Sequence, residues 1–326
     1  TRGDLDAALN ASDVVIEAAY RSAFQEHCAL EREAALGTLD EEGRVTVAGG
    51  THEPHWQQAW IAAVLGLPAE RGRFATPPVI LRFSRRESFD ASPKRHPYDM
   101  RYRVGATRTG TLTGLRVRID ANTGGYDSAG YHIPNYALPA AGGPYRWQAF
   151  DGAARSVYTN APKSGQFRGF GTPQGVYALE CTLDEVAQAL GADPVALRRQ
   201  NVIDQSSVTF LGYPVAESIG IQQVLDAVEP RYREYEREVE QFNARHAGGP
   251  LRMGVGFAAM WYRFGKSGAL RIEADAELAE DGHFCVYCSA PDYGQGTNTT
   301  LTKIAAEALA APRDWVELVN ADTART

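Results

Sequence analysis

The chain of 326 residues is poor in cysteine, in long apolar runs and in positive charge. Four cysteines, Cys28, Cys181, Cys285 and Cys288, are too few and too scattered to staple a chain of this length, so reduced thiols are expected rather than a disulfide framework. Cys285-x-x-Cys288 has the spacing of a metal or redox pair, but it falls in His283–Cys288, which reads as a strand. Residues three apart on a strand point to opposite faces, and buried structural cysteines are expected. No apolar stretch approaches the roughly 20 residues of a membrane-spanning helix, and no basic segment followed by an apolar core opens the chain. A cytoplasmic protein without a membrane span is the expectation. The formal charge of −7 opposes a phosphate backbone, and without a concentrated basic face nucleic acid is not an expected partner.

What is present, 44% hydrophobic and 22% charged residues, describes an ordinary ordered chain with room for two packed subdomains. Strands and helices alternate irregularly between many glycines and prolines, which predicts an α+β fold rather than one doubly wound sheet. Strands are expected at Val14–Tyr20, Val45–Ala48, Val79–Phe83, Arg101–Thr107, Leu115–Ala121, Gly254–Trp261, Leu270–Ala276 and Phe284–Ser289, with Thr109–Gly114 as a hairpin loop. The clearest helix follows Thr172-Pro173, where threonine can cap and proline suits the first position. Its apolar residues Val176, Leu179, Leu183, Val186 and Leu190 step by three and four to Gly191, giving one buried stripe. Further helices are expected at Pro194–Asn201 and from Ile221 to about Ala244, the latter with a charged, solvated face.

Three glycine-bearing turns immediately precede helices: Gly49-Gly50-Thr51-His52 before Pro54–Leu65, Gly165–Gly171 before Pro173–Leu190, and Gly294-Gln295-Gly296 before Thr297–Leu309. Each can aim free backbone amides at an anion, an oxo group or a pterin edge, because a helix N-terminus carries unpaired N–H groups and partial positive charge. Taken singly, each is weak evidence, since a glycine before a helix is more often just a connector. Neither a Walker lysine nor the Rossmann spacing accompanies them, so together they favour an extended cofactor over one phosphate. His52-x-x-His55 could pair on one helical turn but lacks a third ligand nearby.

The run Gln166-Phe167-Arg168-Gly169-Phe170-Gly171-Thr172-Pro173-Gln174-Gly175, followed by a helix carrying Glu180 and Glu185 and then by Asp193-Pro194 and Leu197–Val202, resembles the large, molybdopterin-binding subunit of the xanthine dehydrogenase and aldehyde oxidase family. Gln25-Glu26-His27 with Leu30-Glu31, and Tyr293–Thr299, are similar to further family motifs in the same order. The resemblance implies two elongated α+β subdomains, here residues 1–250 and 251–326, with a molybdopterin cofactor between them. It implies hydroxylation of an electron-poor carbon in a purine-like N-heterocycle or an aldehyde, with water as the oxygen source. Thr51, His52, Phe167, Arg168, Gly169, Gly294, Gln295, Gly296 and Thr297 would hold the cofactor, whose own dithiolene holds the molybdenum. Phe170 and Phe257 would pack on the substrate ring, and Tyr131 or His132 would stand where purine enzymes place an arginine. At Thr51-His52 the family usually has a glutamine, so this sequence departs there: either the imidazole donates that hydrogen bond or the site differs.

Electrons would pass to a 2Fe–2S cluster and FAD on partner subunits or domains of a homo-oligomeric complex, since no Cys-x4-Cys-x2-Cys set or flavin fingerprint is present here. Two family segments are missing: a glycine-rich loop and helix near 77–78, and the Gly-Glu that carries the general base, expected beyond Thr326. The chain therefore reads as a fragment or incomplete copy, inactive alone, in which Glu26, Glu180 and Glu185 serve structure. The competing expectation is a non-catalytic scaffold or assembly relative.

Overall fold

The computed structural model describes residues 1–39, 41, 44–66, 79–128, 130–216, 218–262, 273–292 and 294–325. In chain order the elements are α1 (Leu5–Asn10), β1 (Val14–Arg21), β2 (Ala34–Leu39), β3 (Val45–Gly49), α2 (Pro54–Leu65), β4 (Val79–Arg82), α3 (Arg85–Ala91), β5 (Tyr98–Ala106) and β6 (Leu112–Gly124). There follow α4 (His132–Ala141), β7 (Ala149–Tyr158), α5 (Thr172–Leu190), α6 (Pro194–Asn201), α7 (Ile221–Arg245), β8 (Asp275–Leu278), β9 (Phe284–Cys288), α8 (Thr297–Ala308) and β10 (Val316–Asn320). They fall into two interleaved units, Thr1–His27 with Ser92–Gly265, and Cys28–Ala91 with Lys266–Thr326.

The first unit is built on a sheet of order β1-β5-β6-β7, antiparallel except for the parallel β6–β7 pair. The expected hairpin joins β5 to β6, closed by the Thr107 N–H donating to the Thr111 carbonyl at 2.9 Å. Tyr98, Met100, Tyr102 and Val104 alternate inward along β5, while Leu115, Val117 and Ile119 do so along β6. The expected stripe of α5 meets this core: Leu179, Leu183 and Val186 are wholly buried, each contributing roughly 1.5–3 kcal/mol. Gly191, at φ 64°, ends the helix in the left-handed conformation. Gly171 rather than Thr172 stands at the N-cap; Thr172 is already helical and buried, which leaves its hydroxyl no capping role.

The second unit carries two three-stranded sheets. One has order β3-β2-β4 and is antiparallel; the other has order β10-β9-β8, with β9–β10 parallel and α8 crossing between them. Val286, Ala306 and Val316 form its small core. Cys285 and Cys288 lie on β9, and all four cysteines are free; Cys28 is exposed and the other three are only half-buried, not fully buried.

Residues 251–262, expected as a strand over Gly254–Trp261, have no regular secondary structure, because no ladder partner lies alongside them among the described residues. The junction at 77–78 lies outside the described residues, as do 270–272 of the strand expected at Leu270–Ala276. The strand found there is Asp275–Leu278. No described helix is long and apolar enough to cross a membrane.

Candidate functional site

The Gly165–Gly171 turn owes its shape to three successive left-handed residues, Gly169 (φ 93°), Phe170 (φ 48°) and Gly171 (φ 89°). Phenylalanine in that region is strained by about 1–3 kcal/mol, and two tight turns hold it there. The Phe170 N–H donates to the Phe167 carbonyl and the Thr172 N–H to the Gly169 carbonyl, each at 2.9 Å. A side chain at Gly171 has no room, since a Cβ would lie 2.8 Å from the Ile133 carbonyl oxygen and 2.9 Å from the Tyr98 hydroxyl. The N–H groups of Phe167, Arg168 and Gly169 have no partner among the described residues.

Two distant segments support this turn. Arg95 N–H donates to the Gln25 carbonyl at 3.0 Å, and Gly165 N–H to the Lys94 carbonyl at 2.8 Å. The His27 ring stacks on Phe167, with centroids 4.2 Å apart and planes at 22°, and its Nε2 lies 2.9 Å from the Gln166 carbonyl. The Arg95 guanidinium sits over the Phe167 ring at 3.8 Å and donates through Nη2 to the Arg168 carbonyl at 2.9 Å. Phe167 is thus gripped between an imidazole and a cation. Gln174, inside α5, donates to the His96 carbonyl at 3.1 Å. Lys94 pairs with Glu26 at 2.6 Å, both almost buried.

The stretch Ser92-Pro93-Lys94-Arg95-His96-Pro97 carries no expected role from the sequence. Its only signal is a dense group of basic side chains between prolines, and Lys94, Arg95 and His96 are in fact all buried. Burial lowers the His96 pKa from 6.5 to about 4, so its imidazole is neutral near pH 7. Burial likewise holds the Tyr98 phenol above its usual value.

Tyr131 and His132 open α4 with their rings 3.7 Å apart, Tyr131 exposed and His132 half-buried. One turn on, Tyr136 meets Phe170 edge-on at 5.1 Å and 85°. The structure therefore joins Phe170 to α4 through Tyr136, and Tyr131 and His132 stand at the N-terminal end of the same helix. Phe257 packs elsewhere on the same core, edge-on against Tyr232 of α7 at 5.3 Å and 76°. No ring contact joins Phe170 to Phe257.

The other expected cofactor residues lie in the second unit. Gly294 (φ 109°) and Gly296 (φ 84°) form the turn before α8, but their amides are engaged. Asp292 Oδ1 accepts from Gly294 N–H at 2.9 Å and Gly296 N–H at 3.3 Å, and Oδ2 accepts from Asn298 N–H at 3.0 Å. These bonds hold the Asp292 carboxyl below its usual range. A ligand there would meet the side chains of Gln295 and Thr297, which bond each other at 2.6 Å, unless Asp292 moved aside. Before α2, the Thr51 hydroxyl accepts from Glu53 N–H at 3.1 Å, and His52 is exposed.

The carboxylates expected to serve structure are all bonded. Glu26 pairs with Lys94, Glu185 accepts from the Tyr20 hydroxyl at 2.9 Å, and Glu180 faces wholly buried Arg198 at 2.7 Å. The described residues contain no group of three or more histidine, cysteine or acidic residues able to hold a metal.

Comparison with known proteins decides the family of the chain. Two molybdopterin cofactor-binding domain families match, one over residues 1–79 and 73–202, the other over 227–326. This chain belongs to the molybdopterin cofactor-binding family. It is 28% identical to the putative xanthine dehydrogenase molybdenum-binding subunit XdhA of Escherichia coli (strain K12), over 98% of this chain and 46% of that protein. It is 32% identical to the nicotinate dehydrogenase large molybdopterin subunit of Eubacterium barkeri, over 69% of this chain and 59% of that one. The solved aldehyde oxidoreductase of Desulfovibrio desulfuricans superposes with a TM-score of 0.89 at 25% identity, covering 100% of this chain and 39% of that chain.

This molybdopterin-binding chain thus spans about half the length of its curated relatives. Its Gly165–Gly171 turn suits the cofactor's electronegative edge, because three successive amides on it have no partner among the described residues.

Proposed function

We propose that the chain is the cofactor-binding portion of a molybdenum hydroxylase that oxidises a planar N-heterocycle or an aldehyde, with its two cofactor-binding subdomains divided near residue 250. The observation that carries this reading is the set of unpartnered amides at Phe167, Arg168 and Gly169, held from behind by His27 and Arg95. When bound, molybdopterin supplies a two-electron sink and activates water as the oxygen source.

The chain's own residues bind and orient. The amides of Arg168 and Gly169 donate to the cofactor's electronegative edge, as do the side chains of Gln295 and Thr297. Thr51 and His52 offer donors on the side where the family carries a glutamine. Phe170 and Phe257 serve as walls for a flat substrate, since offset or edge-on contacts orient a ring without fixing its substituents. Tyr131 and His132, at the start of the helix whose Tyr136 meets Phe170, give polar contacts to ring substituents. Electrons leave to a 2Fe–2S cluster and FAD on partner subunits or domains of a homo-oligomeric complex, because the four cysteines here include no cluster-binding set.

The purified complex containing the complete subunit is expected to hold about one molybdenum per subunit, by analogy with a single cofactor site. Gly169→Val should expel it, because at φ 93° its Cβ would fall 2.6 Å from Pro173 Cγ and distort the turn that presents the amides. Full molybdenum content in that variant would remove the turn from the cofactor site.

A further inference from the structure

Residues 251–262 enter neither a ladder nor a helix, yet Phe257 in their midst is half-buried against the core of the first unit. Three points hold this stretch. Near its start, Asn243 of α7 accepts from the Met253 N–H and donates to the Met253 carbonyl, both at 2.9 Å. Two residues past Phe257, the Ala259 N–H donates to Glu180 Oε2 at 2.9 Å in a buried bond. Further on, the Trp261 indole N–H donates to the Pro139 carbonyl at 3.0 Å.

Two of these moorings belong to helices that also hold Phe170. α5 begins directly after the Phe170 turn, and Glu180 lies about two turns along it. α4 meets Phe170 through Tyr136 and meets Trp261 through Pro139, three residues later. The two helices pack without a gap: a Cβ at Gly175 of α5 would lie 2.9 Å from the Ala137 carbonyl of α4. Such close-packed contact transmits position rather than absorbing it.

Glu180 is itself immobilised. Its Oε1 accepts from the Tyr145 hydroxyl at 2.8 Å, and its Oε2 accepts from Arg198 Nε at 2.7 Å as well as from Ala259. A carboxylate accepts from a hydroxyl, a guanidinium and a backbone amide in one place, whereas a carboxamide keeps one oxygen for the guanidinium and the backbone amide and turns its NH2 to the hydroxyl oxygen.

We infer that Glu180 is a positioning residue that moors the Phe257 segment to α5, with Trp261 as its counterpart on α4, so that one helix pair sets the placement of both aromatic walls. The inference rests on the reading of Phe170 and Phe257 as those walls. A stretch without ladder bonds opens locally at little cost unless such pins hold it.

The test uses the complete, cofactor-loaded enzyme. Glu180→Gln keeps the shape and an acceptor oxygen. Glu180→Leu combined with Arg198→Leu removes both charges together, so neither is left buried alone. Trp261→Phe deletes the indole donor and keeps a ring, and it carries the test if the paired variant fails to fold. Amide exchange over 254–261 should quicken about tenfold in the paired and Trp261→Phe variants, but not in Glu180→Gln or along β5 and β6. The KM for a planar heterocycle should rise about tenfold in the same two variants with kcat held, while that for a small aliphatic aldehyde stays put.

Unchanged exchange over 254–261 in both variants overturns the mooring. Faster exchange without a rise in heterocycle KM overturns the positioning role, provided Phe257→Ala does raise that KM. If Phe257→Ala leaves it unchanged, the wall reading itself fails, and the exchange result alone then decides whether Glu180 and Trp261 moor the segment.

Discussion

Arg95 lies with its guanidinium carbon 3.8 Å from the centroid of the Phe167 ring, and the same guanidinium bonds the carbonyl of the residue that follows that ring. One cation therefore fixes both the side chain and the main chain of the turn whose amides have no partner among the described residues. Arg95→Lys keeps the charge but loses the planar stack and the fixed fork. We expect a loss of about 1–3 kcal/mol in stability, from the cation–π contact and one charge-assisted bond. Molybdenum content should fall with it. A denaturant midpoint and a metal assay within error of the parent protein would show that the turn stands without Arg95.

Gly171 should tolerate no side chain. At φ 89°, with a Cβ directed at the Ile133 carbonyl and the Tyr98 hydroxyl, Gly171→Ala meets both backbone strain and a clash. The expected cost exceeds about 1 kcal/mol. Gly191→Ala, also left-handed but facing open space, should cost less. Thermal melting of the two variants side by side checks the order, and an equal loss would assign the whole effect to φ.

Acid should weaken the first unit through His96. Its pKa is lowered from 6.5 to about 4 in the folded chain by burial, so the unfolded chain takes up the proton first. Its contribution to stability is fully present above pH 6.5, shrinks as the pH falls, and is gone below about pH 4. Urea midpoints measured across this window should drop less steeply for His96→Gln than for the parent chain. Parallel curves would assign the acid sensitivity to the carboxylates.

Phe170→Ala and Phe257→Ala in the complete enzyme should each weaken transition-state binding of an aromatic heterocycle by about 1–3 kcal/mol, the scale of one aromatic contact with its buried area. Small aliphatic aldehydes should lose less, and molybdenum content should hold. Equal losses for both substrate types would place these rings in the core, where Tyr136 and Tyr232 already contact them.

Local chemistry made much of the fold legible. The period of Leu179, Leu183 and Val186 marks one face of α5 whatever surrounds it, and Gly191 ends that helix because only glycine enters the left-handed region freely. β7, over Ala149–Tyr158, was hidden because its charged, glycine-bearing run shows no clean alternation; it is an edge strand defined by its parallel pairing with β6. Gly254–Trp261 misled in the opposite direction, since its apolar composition suits a strand but pairing needs a neighbour.

The sequence by itself determined the family, through the ordered motifs from Gln25-Glu26-His27 to Gly294-Gln295-Gly296, and it determined where amides could be left free before a helix. Only the tertiary structure decided which of those amides stay free. At Gly294 and Gly296 the carboxylate of Asp292 folds back and takes them, while at Phe167, Arg168 and Gly169 no described residue does. Only the tertiary structure, too, brought His27 and Arg95 onto Phe167 from segments about a hundred and forty and about seventy residues away along the chain, respectively. Free amides and turn residues are local properties of a chain, whereas the partners that occupy or brace them come from loop closure over long separations, which no local pattern encodes.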